Sequence, residues 1–220
     1  MLKIFQVIFL NLNYFYVGFD LVLIIFRYLK KETLSINSLK KIIFFLVIFI
    51  LIINILKTLI NYFLWLNNSL SQKLLPPYTP FIYFLRYSFQ HYFFSAMVTI
   101  IFAYLIFWLI LKFNKKFKET FFYDEEPYFA SLGFLLTGWP SCLFYLCLVL
   151  FLGIIFHLIF IVFNLLDKRT KRRSVKQIEE NISQAPFRLS LLNFWLPSAL
   201  LVLILNDIIS KWQIFQYFKI

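Results

Sequence analysis

Ten acidic side chains are spread over 220 residues, and three of them, Asp124, Glu125 and Glu126, stand in a row just before an apolar run. Two carboxylates held together can share a proton, one activating water while the other protonates a carbonyl, because like charges a few Å apart push one pKa up. A pair of that kind could do acid–base chemistry, and Asp124 and Glu125, with Glu126 in reserve, are the acids clustered beside a helix start. Acids ahead of Pro127 are equally ordinary helix-start chemistry, negative charge facing the positive end of the peptide dipole. Asp20 is a different case. It lies inside an apolar run, seven residues and hence two helical turns before Arg27. An ionisable group in such a run faces a partner, water or a pathway. The expectation is a buried Asp20 bonded to a neighbouring helix, the sharper alternative being a replacement catalytic partner for Asp124 or Glu125. Lys57, also within an apolar run, is expected to snorkel toward the surface or to pair with Asp20. Cys142 and Cys147 read as core, and with His157 they are spaced too widely for a metal site, so no metal and no cofactor are expected. His91 reads as a residue at a helix start near the membrane interface.

The elements that must carry these groups are long and apolar. The chain is 62% hydrophobic, 22% aromatic and only 15% charged, with a mean hydropathy of +0.81, against roughly 45–50% apolar and a quarter charged in soluble domains. A soluble enzyme, a disordered tail and a disulfide scaffold are excluded. The fold class is an all-α polytopic integral membrane protein, since helices satisfy their own backbone polar groups in hydrocarbon. A crossing takes about 20 apolar residues, and the runs place six helices in a single membrane domain, 1–220, at about 4–26, 42–66, 91–113, 126–139, 140–166 and 189–212. The first run passes Tyr14, Phe15 and Asp20 without a small-residue cleavage site and is expected to stay. Segment 67–90, with Pro76, Pro77 and Pro80, reads as an outer loop with an interfacial stretch near Phe81–Gln90.

The net charge of +12 falls in short clusters beside the apolar runs, a topology signal; no nucleic-acid partner is expected, and the lipid bilayer is. Arg27, Lys30, Lys31, Lys40 and Lys41, then Lys115, Lys116 and Lys118, then Lys168, Arg169, Lys171, Arg172, Arg173 and Lys176 put three loops, 28–41, 114–124 and 167–188, on the cytoplasmic or matrix side. Residues 128–166 must then go out and return, and Gly138-Trp139-Pro140 is the natural turn, Gly permitting positive φ and Pro opening a helix. Both termini lie outside.

Three stretches, Gly18 to Arg27, Glu125 to Gly133 followed by Gly138-Trp139-Pro140 and Gly153, and Ala185-Pro186-Phe187, resemble parts of the type IV prepilin leader peptidases, membrane aspartic peptidases with a Gly-x-Gly-Asp motif. All four glycines of the chain fall where that family is expected to have one. The resemblance spans roughly residues 17–31 and 91–212. It implies cleavage of a short basic leader at the cytoplasmic face of a bacterial inner membrane, with prepilin-like substrates. It also implies that Asp124 or Glu125 stands for the family's second catalytic Asp.

The chain departs from the pattern at both acids. The Gly-x-Gly-Asp tetrad is Phe122-Tyr123-Asp124-Glu125, with both glycines gone. The first catalytic Asp has no counterpart, because Asn67-Asn68-Ser69 ahead of Leu75-Pro76 holds no carboxylate. No Cys-rich insertion follows Arg27, so the resemblance implies no methyl transfer. A pseudoenzyme that leaves a standard prepilin uncut is therefore the expectation. The alternative is a non-catalytic subunit of a large bacterial or organellar membrane complex, the organellar case being an inner membrane.

Overall fold

The computed structural model describes residues 12–30, 35–117, 122–170 and 191–209, and all the regular structure among them is helical. We number the helices α1, Leu12–Lys30; α2, Ile36–Leu66; α3, Phe81–Lys116; α4, Glu126–Thr137; α5, Ser141–Thr170; and α6, Trp195–Ile209. Three of them, α2, α3 and α5, are long and apolar enough to cross a membrane. The third expected stretch, Ala185-Pro186-Phe187, lies outside the described residues, as do Lys171 to Lys176 of the last basic cluster and Lys118 of the second.

The middle of the bundle is its shortest long element. α4 has 12 residues, and all but Tyr128 are buried. A helix apolar on every side has no solvent face and belongs inside. It begins at Glu126 with Pro127 in its first turn, where a missing N–H costs nothing. It stops at Gly138, whose φ of +66° is a backbone state that side chains disfavour. The Gly138 N–H donates to the Phe134 carbonyl (3.1 Å), and the Cys142 N–H donates to the Gly138 carbonyl (2.7 Å), which closes the turn into α5.

Helix α3 supports α4 along one line of mostly small or polar residues, Ala96, Thr99, Ala103, Ile110 and Asn114, all buried. Their spacing of three, four and seven keeps them on one face. The Ser131 hydroxyl of α4 bonds the carbonyls of Pro127 (2.8 Å) and Ala103 (3.3 Å). At one end of α3 the Asn114 amide brackets Phe122, donating to its carbonyl (3.1 Å) and accepting from its N–H (3.2 Å). At the other end Thr99 Oγ1 accepts the Trp139 N–H (2.8 Å), while Ser95 Oγ donates to the Trp139 carbonyl (3.2 Å). Both peptide groups that flank α4 are thus tied to α3.

Helix α5 doubles back on α4, because the turn between them is three residues long and Tyr145, one turn into α5, lies over Gly133, one turn before the end of α4. A Cβ on Gly133 would run into the Tyr145 hydroxyl, and one on Gly153 would meet Leu191. Gly18, by contrast, has open space around it. The outer side of α5 exposes Phe151, Ile154, Phe156, Leu158, Val162 and Phe163, the face expected of a helix against lipid.

Two sequence expectations are corrected. The stretch Phe81–Gln90 belongs to a helix and not to a loop: Pro80 caps it, its helix continues to Ser88, and a π-helical turn, Phe89–Phe93, joins it to the run from Phe94. Cys147 is exposed and only Cys142 is buried, since five residues along a helix turn the two onto different faces.

Candidate functional site

The acids at the start of α4 are not equivalent. Asp124 is exposed in the turn and Glu125 is half-buried. Burial pushes the Glu125 carboxyl above the ordinary glutamate range, the Arg27 guanidinium pulls it back, and Asp124 adds to the rise. Arg27 itself lies over the Phe129 ring, 4.4 Å from its centre. The two residues expected to do the chemistry therefore stand together with a cation from α1 nearby.

Glu126, held in reserve as a third acid, is fully buried. Its Oε1 accepts the Tyr123 N–H (3.2 Å), and its Oε2 accepts the Leu191 N–H (3.3 Å) and the Trp195 indole N–H (3.4 Å). The first bond is the backward reach of a helix-start acid to the peptide three residues earlier. The other two fasten α4 to the start of α6, across 65 and 69 residues of chain. Three N–H donors satisfy this buried carboxylate, so Glu126 serves as a pin between these elements.

Asp20 is fully buried, as expected, but the expected bond to a neighbouring helix is missing: neither carboxylate oxygen has a hydrogen-bond partner among the described residues. Its charge reaches Tyr145, whose hydroxyl is likewise buried without a partner, as is that of Ser198 on α6. Asp20 lies two turns, about 10 Å, along α1 from Arg27. It belongs to the centre of the bundle at the level of Gly133, not to the turn that carries Asp124 and Glu125. Of Asp167, the remaining acid at this end, the side chain lies outside the described residues. Among the described residues there is no group of three His, Cys, Asp or Glu placed to hold a metal.

At the opposite end of α4 lies a cavity of about 330 Å³ that the sequence reading missed. Its wall includes Tyr16, Asn54, Lys57, His91, Tyr92 and Asn206, together with Gly138 and Trp139 of the turn. The signal was present in the sequence: Asn54 and Lys57, three apart in an apolar run, share a face of α2, and the polar pair Gln90-His91 interrupts another run. Taken singly, Lys57 reads as a snorkelling residue or a partner for Asp20, and His91 as an interface residue. In the structure both face one cavity, His91 from the π-helical turn with its ring edge-on to Tyr87 at 4.2 Å.

No family model matches the chain, and neither a curated protein nor a solved structure matches it.

Proposed function

We propose that the chain is a six-helix membrane protein of the prepilin-peptidase kind that leaves a standard prepilin uncut. It resides in a bacterial inner membrane, with its basic segments on the cytoplasmic face and with prepilin-like segments or other membrane subunits as partners. The observation that carries this reading is the surroundings of Glu125. Among the described residues the charges acting on it are Arg27 and its own neighbour Asp124, with no carboxylate from another helix. A proton-sharing pair needs two acids within hydrogen-bond reach, directly or through one water. Here the adjacent acid Glu126 is already engaged by three N–H donors, and Asp20 lies deeper in the bundle. The turn resembles the family's catalytic turn in position while its charges hold helices together.

Leader removal from a co-expressed prepilin tests the reading. The expected result is no cleavage by an intact, stable protein. Cleavage that disappears in both Asp124→Ala and Glu125→Ala, yet survives Phe151→Ala on the exposed face of α5, would overturn it and establish an enzyme. The topology is tested by cysteine labelling at Ser35, Thr120 and Ser174, of which the last two lie outside the described residues. All three should label from the same side, and opposite labelling of Ser174 would remove the α4–α5 hairpin crossing.

The second reading, a non-catalytic subunit of a larger bacterial or organellar complex, would place a partner on the exposed ridge of α5 in place of lipid. A photo-crosslinker at Phe151 that captures one protein reproducibly, and not lipid alone, would select it.

A further inference from the structure

We propose that Asp20, Tyr145 and Ser198, at the centre of the bundle, form a binding site for a dehydrated monovalent metal cation such as Na⁺. The inference is independent of the peptidase reading, because Asp124 and Glu125 take no part in it.

Three helices bring these oxygens together. Asp20 on α1 and Tyr145 on α5 are both fully buried, and the Asp20 charge is felt at the Tyr145 hydroxyl. The Tyr145 ring lies 6.2 Å from that of Trp195 on α6. Ser198, three residues after Trp195, is on the same face of that helix and is also fully buried. Both α1 and α5 pack on α6, so α6 is the shared neighbour of the helices that carry the acid and the phenol. A fourth wall is α4, where Gly133 leaves the room that the Tyr145 hydroxyl occupies. A side chain at that position would push the hydroxyl out of place.

The oxygens are orphaned among the described residues. Neither carboxylate oxygen of Asp20 has a hydrogen-bond partner, nor does the hydroxyl of Tyr145 or of Ser198. Buried polar atoms are normally paired, and an exception calls for a bound water, an ion or strain. Four such atoms on adjoining helices call for one explanation. The nearest cation on α1, Arg27, is two turns away and lies over the Phe129 ring. A buried carboxylate requires compensating charge, and an ionisable group within an apolar helix marks an ion site or pathway.

A metal cation meets all of these demands at once. A proton would neutralise Asp20 and leave the two hydroxyls orphaned; a water would pair with oxygens and leave the charge. A cation balances the carboxylate and takes a lone pair from every oxygen around it. The donor set selects the ion. Carboxylate and hydroxyl oxygens are hard ligands, unsuited to soft or transition metals. One carboxylate balances one positive charge, so a monovalent ion leaves the site neutral in its low-dielectric surroundings, whereas Ca²⁺ would leave an excess charge there.

The test uses the full chain in detergent, held at constant pH and ionic strength with N-methyl-D-glucamine chloride and titrated separately with NaCl, KCl and CaCl₂. The readouts are the melting temperature and the calorimetric heat of binding. A saturable rise in melting temperature with Na⁺, and none with N-methyl-D-glucamine, is expected. Asp20→Asn should abolish the rise, and Tyr145→Phe and Ser198→Ala should each weaken Na⁺ binding about ten-fold. Ser88→Ala, which removes another buried orphan hydroxyl but from α3, should leave it unchanged. Should Asp20→Asn fail to fold, Asp20→Glu replaces it, with binding again weakened about ten-fold, because the longer side chain displaces the oxygens. Saturation by K⁺ in place of Na⁺ would support the site and assign it the larger ion. Saturation by Ca²⁺ without a response to Na⁺ or K⁺, a response that survives Asp20→Asn or is insensitive to both hydroxyl variants, or stabilisation by acid but by no metal ion would overturn the proposal, as would no saturable response at all.

Discussion

The two ends of α4 hold comparable polar material and dispose of it in opposite ways. At the Glu126 end every acceptor bond described is made to the protein itself: a carboxylate takes N–H groups from its own turn and from the start of α6, and Asn114 brackets the Phe122 peptide. At the Gly138 end the turn is tied to Ser95 and Thr99, but beyond it Asn54, Lys57 and Asn206 line open space. The closed end converts polar groups into attachment between helices. The open end leaves part of its polar material facing a cavity. Buried polarity therefore does not mark a site by itself; what matters is whether the protein has already supplied the partners.

Substitution at the closed end should have the largest effect. Glu126→Ala leaves the Tyr123, Leu191 and Trp195 donors without their acceptor, each worth roughly 1–3 kcal/mol when buried and unpaired. A loss of about 3 kcal/mol or more is expected, read as a lower melting temperature with a red shift of Trp195 emission. A change below about 1 kcal/mol would erase the distinction between the ends.

Between the ends, Gly133→Ala should cost about 1–3 kcal/mol through overpacking, because the added methyl meets the Tyr145 hydroxyl. The double variant with Tyr145→Phe should recover part of that loss, since the nearest clashing atom is then gone. Failure of Tyr145→Phe to recover anything would place the strain in the backbone instead. On the same scale Gly153→Leu should lower folded yield against Leu191, whereas Gly18→Leu, facing open space, should not.

At the open end, Asn54→Leu should change stability by less than about 1 kcal/mol, in either direction, because it replaces an amide that borders a cavity with an apolar group of similar size. A loss equal to that of Glu126→Ala would mean that the Asn54 amide is a structural bond after all.

The smallest effect belongs to Glu125, whose carboxyl is raised chiefly by burial. A raised acid favours the folded state while protonated, and that contribution fades as pH climbs through its folded pKa. Glu125→Gln should therefore match the wild type below about pH 4 and melt slightly higher at neutral pH. A lower melting temperature at neutral pH would make the Arg27 attraction, and not burial, the dominant influence.

Much of the scaffold was legible because its signals are local. The Glu-Glu-Pro start and the Gly-Trp-Pro stop bound α4 closely, and a long apolar run gives α2 to its end at Leu66, although its first turns, from Ile36 through Lys40 and Lys41, read as loop. The start of α3 was hidden because Pro76, Pro77 and Pro80 read as breakers, although Pro80 in fact caps the helix that follows. The partners of Glu126 were hidden for a different reason: Leu191 and Trp195 are 65 and 69 residues away, and nothing in local periodicity names a distant N–H. Asp124 and Glu125 were visible as a cluster, but the cation that acts on Glu125 comes from α1. The cavity was half legible, its polar residues each standing out in an apolar run while their convergence depends on how α2, α3 and α6 pack.

The length of α4 is a depth gauge. Twelve residues at about 1.5 Å each reach about 18 Å, against about 46 Å for the 31 residues of α2. A central helix less than half as tall as its neighbour leaves a well above it, floored by Gly138 and Trp139 and walled by the taller helices. One further turn of α4 would plug the well. The glycine that ends the helix at Thr137 thus fixes a volume as well as a fold: where the chain stops winding decides how much room is left between the taller helices.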